Sequence, residues 1–399
     1  MNNITGKQKL KQQQEELEKN LDERIVNDDL PTANIVVAGI TGTGKSTLIN
    51  AVFGFDKAKT GTGRPVTEHI DEYEDEGIPI HIWDTVGLEL DSEKTKESIK
   101  AIKATIASKV ELNNQYDRVH AIWYCINSGS NRYQGAELEF IKELHSIGVP
   151  FIIVLTQCFG DEEEVKSFEN KIRNINESME MYDIEIVQVL ALPVKFRGMI
   201  EPIPAFGLDV LVKKTLKLLP VFIKSSFIAA QRVSQSEKRV ECEEIIYSYV
   251  RAAQKGFWDK VYLVNLSVTN KKIMKMFKKL GEMYNTILST ESIEEIMETS
   301  GLDFKNKFWG LISPIYEEYS KKITSLFEQK KSEGFSVEVS DLEKNERAAR
   351  MIAFYGYTFI DSIEELWNLL TEEQLKNVDI VVKRLIEIIN KNLKERKKK

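Results

Sequence analysis

Along the first half of the chain, short apolar runs rich in β-branched residues alternate with amphipathic stretches. The runs are Asn34-Ile35-Val36-Val37-Ala38-Gly39, Ile78–Trp83, Val119–Ile126, Phe151–Leu155 and Ile184–Leu190. Runs of this length and composition predict strands buried on both faces. Helical spacing fills the gaps, over 45–54, 92–111, 134–148, 161–179 and 207–218. Strand and helix in alternation predict an α/β domain around a largely parallel sheet. One further strand breaks the rule. His69–Tyr73 precedes the acidic turn Glu74-Asp75-Glu76-Gly77, so it is expected to pair antiparallel with 78–83 as a hairpin.

Beyond residue 220 the strand-like runs give out. Apolar residues recur at helical spacing, as in Ile245, Ile246, Tyr249, Val250 and then Ile273, Met274, Phe277, Leu280. Residues 221–399 are therefore expected to form an all-helical C-terminal domain, with loops near 286–292, 299–303 and 332–341. Residues 1–30 are charged and helix-prone, with little apolar beyond Leu10, Leu17 and Leu21, and are expected to be an N-terminal helical extension. The domain between, 31–220, carries the strands.

Composition changes this picture little. The chain has 399 residues, 42% hydrophobic and 29% charged, which is ordinary for a folded protein. A net charge of −7 argues against a dedicated nucleic-acid binder, and none is expected as a partner. Three cysteines, Cys125, Cys158 and Cys242, form no close pair and predict no disulfide framework. The polar N-terminus shows no secretion signal, so the cytoplasm is the expected location. Leu211–Ala230 is apolar and lysine-flanked; core packing and a membrane surface are both open to it.

The chemistry concentrates at the first strand. Gly39-Ile40-Thr41-Gly42-Thr43-Gly44-Lys45-Ser46 lies between a predicted strand and a predicted helix, the setting a phosphate-binding loop requires. Gly39, Gly42 and Gly44 allow a tight turn that converges successive N–H groups on a phosphate. Lys45 is the expected cation for the β- and γ-phosphates, and Ser46 the expected hydroxyl ligand of Mg²⁺. Thr41, Thr43 and Thr47 complete the expected phosphate contacts. Trp83-Asp84-Thr85-Val86-Gly87 ends a second apolar strand. Asp84 suits the Mg²⁺ shell, and the Gly87 amide suits contact with the γ-phosphate. Between them lies Gly61-Thr62-Gly63-Arg64-Pro65-Val66-Thr67, where a switch loop belongs. Thr67 is the first choice for the second protein ligand of Mg²⁺, and Thr62 the other. Lys45, Thr67 and Gly87 are the catalytic candidates.

Base recognition departs from the usual pattern. Guanine is commonly read by Asn/Thr-Lys-x-Asp, and at that place stand Thr156-Gln157-Cys158-Phe159-Gly160-Asp161. Gln157 replaces the lysine and Phe159 the aspartate. Asp161, two residues late, either reaches the base or caps the following helix. Ala191, within Leu190-Ala191-Leu192, stands where a backbone amide meets the guanine carbonyl. The histidines at 69, 81, 120 and 145 show no metal-ligand spacing, and no serine or cysteine sits beside an evident base. Metal-hydrolase and thiol chemistry fall away.

With these motifs in place, residues 34–219 resemble the translation-factor-related GTPases, among them the septin-like, immunity-related and Era-like branches. Gly44-Lys45-Ser46-Thr47-Leu48-Ile49-Asn50 and Trp83-Asp84-Thr85-Val86-Gly87-Leu88 carry the similarity. Pro204–Leu208, Leu218-Leu219-Pro220 and Phe227–Gln231 look like a group of bacterial GTPases with a helical C-terminal domain of unknown role. In that group the segment after the fifth strand also reads Thr-Gln. The resemblance covers about residues 34–280. It implies a P-loop GTPase fold, with a six-stranded mixed, mostly parallel sheet and helices on both faces. It also implies binding of GTP and GDP, and hydrolysis by in-line attack of water. Leu88 stands where some relatives carry a water-positioning glutamine, so a homodimer contact or a protein partner is expected to supply that group. A nucleotide-dependent scaffold with little turnover and an ATPase are the alternatives.

Overall fold

The computed structural model describes residues 30–54, 64–67, 70–74, 78–85, 93–110, 114–130, 133, 135–252, 266–286, 288–300, 302, 324–325, 328 and 346–396. The expected N-terminal extension, Thr62, Gly87, Leu88 and the expected loop at 332–341 lie outside these residues.

The described chain falls into two compact units, one of them Leu30–Gln235 and the other containing the residues from Ser236 onward. The first unit is built on β1 (Ala33–Ala38), α1 (Lys45–Phe53), β2 (Arg64–Thr67), β3 (Ile70–Glu74), β4 (Ile80–Thr85), α2 (Glu93–Val110), β5 (Ala121–Asn127), α3 (Ala136–His145), β6 (Phe151–Thr156), α4 (Glu162–Ser178), β7 (Glu185–Gln188), α5 (Leu208–Leu218) and α6 (Val221–Ala230). The sheet runs in the order β2-β3-β4-β1-β5-β6-β7. Strands β4, β1, β5, β6 and β7 are parallel, and β3 returns antiparallel on β4 as the hairpin pattern predicts.

All six expected strands are present, and a seventh joins them. Arg64–Thr67 pairs antiparallel with β3 at the sheet edge. The sequence hid it because it is four residues long and contains Pro65, which lacks a ladder donor and is tolerated on an edge. This segment reads as loop by composition and is strand by pairing.

Side-chain alternation along the central strands feeds two cores. On one face Val36, Ile122, Tyr124, Ile153 and Leu155 pack with Ile102 and Ile106 of α2, Phe140 and Leu144 of α3, and Phe168 and Ile172 of α4. On the other, Trp123 stacks on Phe53 of α1 with centroids 5.8 Å apart, and its indole N–H donates to Thr215 of α5 at 3.1 Å. Phe227 of α6 meets both Phe53 and Trp123 edge-on.

That contact explains where the units divide. Helix α6 lies past the expected domain boundary at Pro220/Val221, yet it covers the sheet. Ile223, Phe227, Ala229 and Ala230 are buried, and the Arg232 amide just beyond donates to Val52 of α1 at 2.8 Å. The apolar stretch that left a membrane surface open is spent on this core. Among the described residues no helix is long and apolar enough to cross a membrane.

The second unit is helical: α7 (Gln235–Ala252), α8 (Leu266–Glu282), α9 (Thr290–Ser300), α10 (Glu346–Leu369) and α11 (Val378–Arg396). Phe277 of α8 stacks on Phe359 of α10 at 4.2 Å. Gly356 lets α10 close on α7, since a Cβ there would stand 2.6 Å from Ile246. Arg239 of α7 reaches Asp361 and Glu364 of α10, each at 2.7 Å, and Tyr284 also donates to Glu364.

One buried acid makes the fold pH-dependent. Glu137, in the first turn of α3, is 3% exposed and accepts from Tyr124 at 3.5 Å. Burial pushes its carboxyl up to about 7, with the Tyr124 bond opposing. The raised folded-state value means its contribution is fully present below about 4.5 and is lost as pH rises through about 7. Glu137→Gln is therefore expected to be the more stable protein at pH 8, by roughly 1–3 kcal/mol, and to match the parent near pH 4.5. Denaturant unfolding at the two pH values measures this.

Candidate functional site

Parallel strands β1, β4, β5, β6 and β7 all end at one edge of the sheet, where α/β folds keep their ligand crevice. Beyond Ala38 the chain turns back sharply into α1. Gly39, Gly42 and Gly44 have φ of 145°, 80° and 87°, values that side-chain-bearing residues rarely adopt. Gly39 has a second constraint: a Cβ there would lie 2.5 Å from the Cys125 carbonyl oxygen of β5. Gly42 faces open space, with nothing within 4 Å of the Cβ position.

Helix α1 starts without a cap. Gly44 offers no side chain to the first-turn amides, and that turn holds no acidic residue. The orphan N–H groups and the positive dipole end suit an anion. Lys45, 8% exposed, curls into the loop and donates to Gly39 O at 2.9 Å and Ile40 O at 3.4 Å. The Thr43 hydroxyl turns inward to Ile40 O at 2.9 Å. Thr41 is exposed, and Ser46 and Thr47 are half-buried at the start of the helix.

Asp84, the penultimate residue of β4, lies in register with Val37 of β1 and is 7% exposed. It and Lys45 act with opposite sign on the Cys125 thiol of β5. Burial dominates there and pushes the thiol up to about 12, so Cys125 is no nucleophile.

Strand β6 clamps the loop from the other side. The Thr156 hydroxyl donates to Thr43 O and to Ile126 O. Gln157 adopts φ of 55°, uncommon for a residue with a side chain, and its Nε2 donates to Gly42 O at 3.0 Å. Ser128 holds that conformation by donating to Gln157 O at 3.0 Å. Neither Ser128 nor Cys125 carries a motif. The signal available in sequence was only that the loop glycines need something close to approach.

The remaining candidates are placed unevenly. Ala191 follows the bridge between Leu190 and Phe206 and is half-buried. Asp161, for which base contact and helix cap were both open, is the N-cap of α4; its Oδ1 accepts from the Glu163 and Glu164 amides at 3.0 and 3.1 Å. The backbone of Thr67 ends edge strand β2 opposite Ile70.

The side chains present fit Mg²⁺. One hydroxyl, Ser46, and one carboxylate, Asp84, are hard oxygen donors, and Mg²⁺ keeps most of its shell for phosphate and water. Among the described residues no cluster of three or more His, Cys, Asp or Glu competes as an all-protein metal cage.

Residues 34–157 match the family described as 50S ribosome-binding GTPase. Over this segment the chain is similar to that GTPase family. The match covers the loop, Asp84 and Gln157 and stops before the helical unit. Similar solved structures include a bacterial selenocysteine-specific elongation factor, with 22% identity over 47% of this chain and 29% of that one (TM-score 0.31). A probable GTP-binding protein engB shows 18% identity over 47% of this chain and 98% of its own (TM-score 0.32). Era of Aquifex aeolicus bound to GDP and AlF₄⁻ shows 17% identity over 56% and 68% (TM-score 0.32). The chain thus spans under a third of the elongation factor's length. Among curated proteins nothing matches.

Two glycine substitutions separate folding from binding in this loop. Gly39→Ala is expected to destabilise by roughly 2–4 kcal/mol, because the Cβ meets backbone at a strained φ. Gly42→Ala meets no atoms and is expected to cost about 1 kcal/mol while weakening nucleotide binding. Thermal unfolding and nucleotide titration of both variants check the contrast.

Proposed function

We propose that the chain binds GTP with Mg²⁺ in the glycine loop and hydrolyses it to GDP and phosphate, acting as a molecular switch. The observation that carries this reading is the pairing of an uncapped helix start at Gly44 with a buried ammonium, Lys45, held inside the same loop. Two main-chain carbonyls are weak partners for an ammonium. Phosphate oxygens give shorter, charge-assisted bonds, so the lysine is poised to exchange Gly39 O and Ile40 O for the β- and γ-phosphates.

In this reading Ser46, Thr67 and Asp84 would hold Mg²⁺, which would supply positive charge against the phosphates when bound. Gly39, Thr41, Gly42, Thr43, Gly44 and Thr47 line the phosphate cradle. Thr156 and Gln157 keep the loop in shape through their bonds to Thr43 and Gly42. The Gly87 amide contacts the γ-phosphate. Catalysis then rests on positioning and electrostatic stabilisation rather than on a side-chain base. Leu88 in place of a water-positioning amide makes the isolated chain slow, on the order of 10⁻⁴–10⁻² s⁻¹. A homodimer contact or a protein partner reached through the helical unit accelerates it.

Lys45→Ala is the direct test. It is expected to lower GTP affinity by about 100-fold or more, with thermal unfolding unchanged within about 2 °C. Calorimetric titration with Mg-GTP reads the first quantity. Retained micromolar binding in the variant would remove the lysine from this role.

A further inference from the structure

After β7 the chain makes an excursion before it enters α5. Two antiparallel bridges hold its arms together. Leu190 and Phe206 exchange both main-chain bonds at 3.0 Å, and Val194 and Ile203 do so at 3.0 and 2.8 Å. The Met199 amide donates to Phe196 O at 3.1 Å and closes the outer end. Pro193, Pro202 and Pro204 restrict the backbone of the arms. At the root, Gly207 has φ of 80°, and a Cβ there would lie 1.9 Å from Gln188 O of β7. The excursion is thus a ribbon tied by its main chain to the edge strand of the sheet.

Its outer end lacks the chemistry of a solvated turn. Turns are ordinarily built from Gly, Pro, Asn, Asp and Ser. Here Leu192, Phe196, Met199 and Ile200 are exposed, Ile200 to 87%. Single exposed apolar residues are common, but a group of them on one feature marks a contact surface. Phe196 is seated with its ring edge-on to Phe159 at 5.5 Å. Gly198, at the turn, has φ of 96° and meets no atom within 4 Å of its Cβ position. The turn projects into open space there.

Charge decides what it contacts. Lys195 and Arg197 are exposed among these apolar side chains, and no carboxylate lies between Leu192 and Ile200. Exposed lysines elsewhere in the same unit have acidic partners, Lys166 with Glu162 and Lys213 with Asp209. Among the described residues neither Lys195 nor Arg197 is ion-paired. Two free cations on an apolar tip run against a chain of net charge −7. A bilayer containing anionic lipids answers both halves of this chemistry. It takes apolar side chains at the acyl boundary and offers phosphates to cations at the level of the headgroups, which Lys and Arg reach on long apolar stems. A nucleic acid would pair the cations and stack on Phe196 but leave Met199 and Ile200 uncovered. A protein groove would need a shape cut to the projection, and a bilayer needs none.

We propose that this ribbon end docks the protein on anionic lipid bilayers, with Phe196, Met199 and Ile200 entering the interface and Lys195 and Arg197 on the lipid phosphates. One such element gives reversible attachment. No residue of the phosphate loop takes part, so lipid binding and nucleotide binding are separable.

Co-sedimentation of the full chain with vesicles tests this, using phosphatidylcholine alone and phosphatidylcholine with about one-third phosphatidylserine. The chain is expected to favour the anionic vesicles by about five-fold or more and to be released by added salt. Met199→Ser with Ile200→Ser is expected to lower partition by about ten-fold or more, and Lys195→Ser with Arg197→Ser by about ten-fold. These four positions are exposed, so thermal unfolding is expected to stay within about 2 °C of the parent. Equal sedimentation of the parent and both variants overturns the proposal and puts lipid binding elsewhere in the chain. A parent that ignores both vesicle types also overturns it; if sedimentation velocity then shows a dimer that Ile200→Ser dissociates, a second copy covers the ribbon end. Titration of the same proteins with Mg-GTP reads the phosphate loop separately, and its result is expected not to change with any of these variants.

Discussion

Helix α1 begins on a glycine with no carboxylate in its first turn, and that bare positive end is what the surrounding structure is arranged to present. Helix α4 in the same domain shows the sealed alternative, an aspartate cap followed by three glutamates. An uncapped start is costly unless something else satisfies its amides. The loop before it is held open by three positive-φ glycines, and Lys45 is folded back over it.

The sheet supplies the rigidity this arrangement needs. Gly39 passes so close to Cys125 that β5 fixes the loop's entry, while Thr156 and Gln157 of the β6 side fix its middle. Strands β5 and β6 therefore hold the loop between them, and each contact is made through a backbone carbonyl that no single motif specifies. Behind them α6 closes the far face through Phe227. It belongs to the unit that carries the loop, although its sequence marks the start of the helical region.

Much of this was legible in the sequence, and the gaps have physical causes. Five strands announced themselves because buried parallel strands are continuous apolar runs, a sixth by the acidic turn that follows it, and the glycine spacing announced the loop because few other structures need it. The edge strand Arg64–Thr67 was missed: four residues with a proline carry no periodicity. The domain boundary was placed at residue 220 because helical texture begins there, yet Phe227 of α6 packs against Phe53 and Trp123 beneath the sheet. Asp161 was ambiguous because cap and base reader use the same residue type at the same distance from a helix. Gln157 is the clearest limit. In one dimension it read only as a departure from the usual base-recognition pattern, whereas in three its amide holds Gly42 O.

The central claim is that the amides from Gly44 to Ser46, at the bare start of α1, are the donors that take up phosphate. Amide hydrogen exchange across residues 39–48, measured with and without Mg-GDP, addresses it at the atoms concerned. The account predicts that exchange at these amides slows by roughly ten-fold or more on nucleotide binding. Nucleotide binding that left their exchange unchanged, with protection appearing elsewhere in the chain, would contradict it.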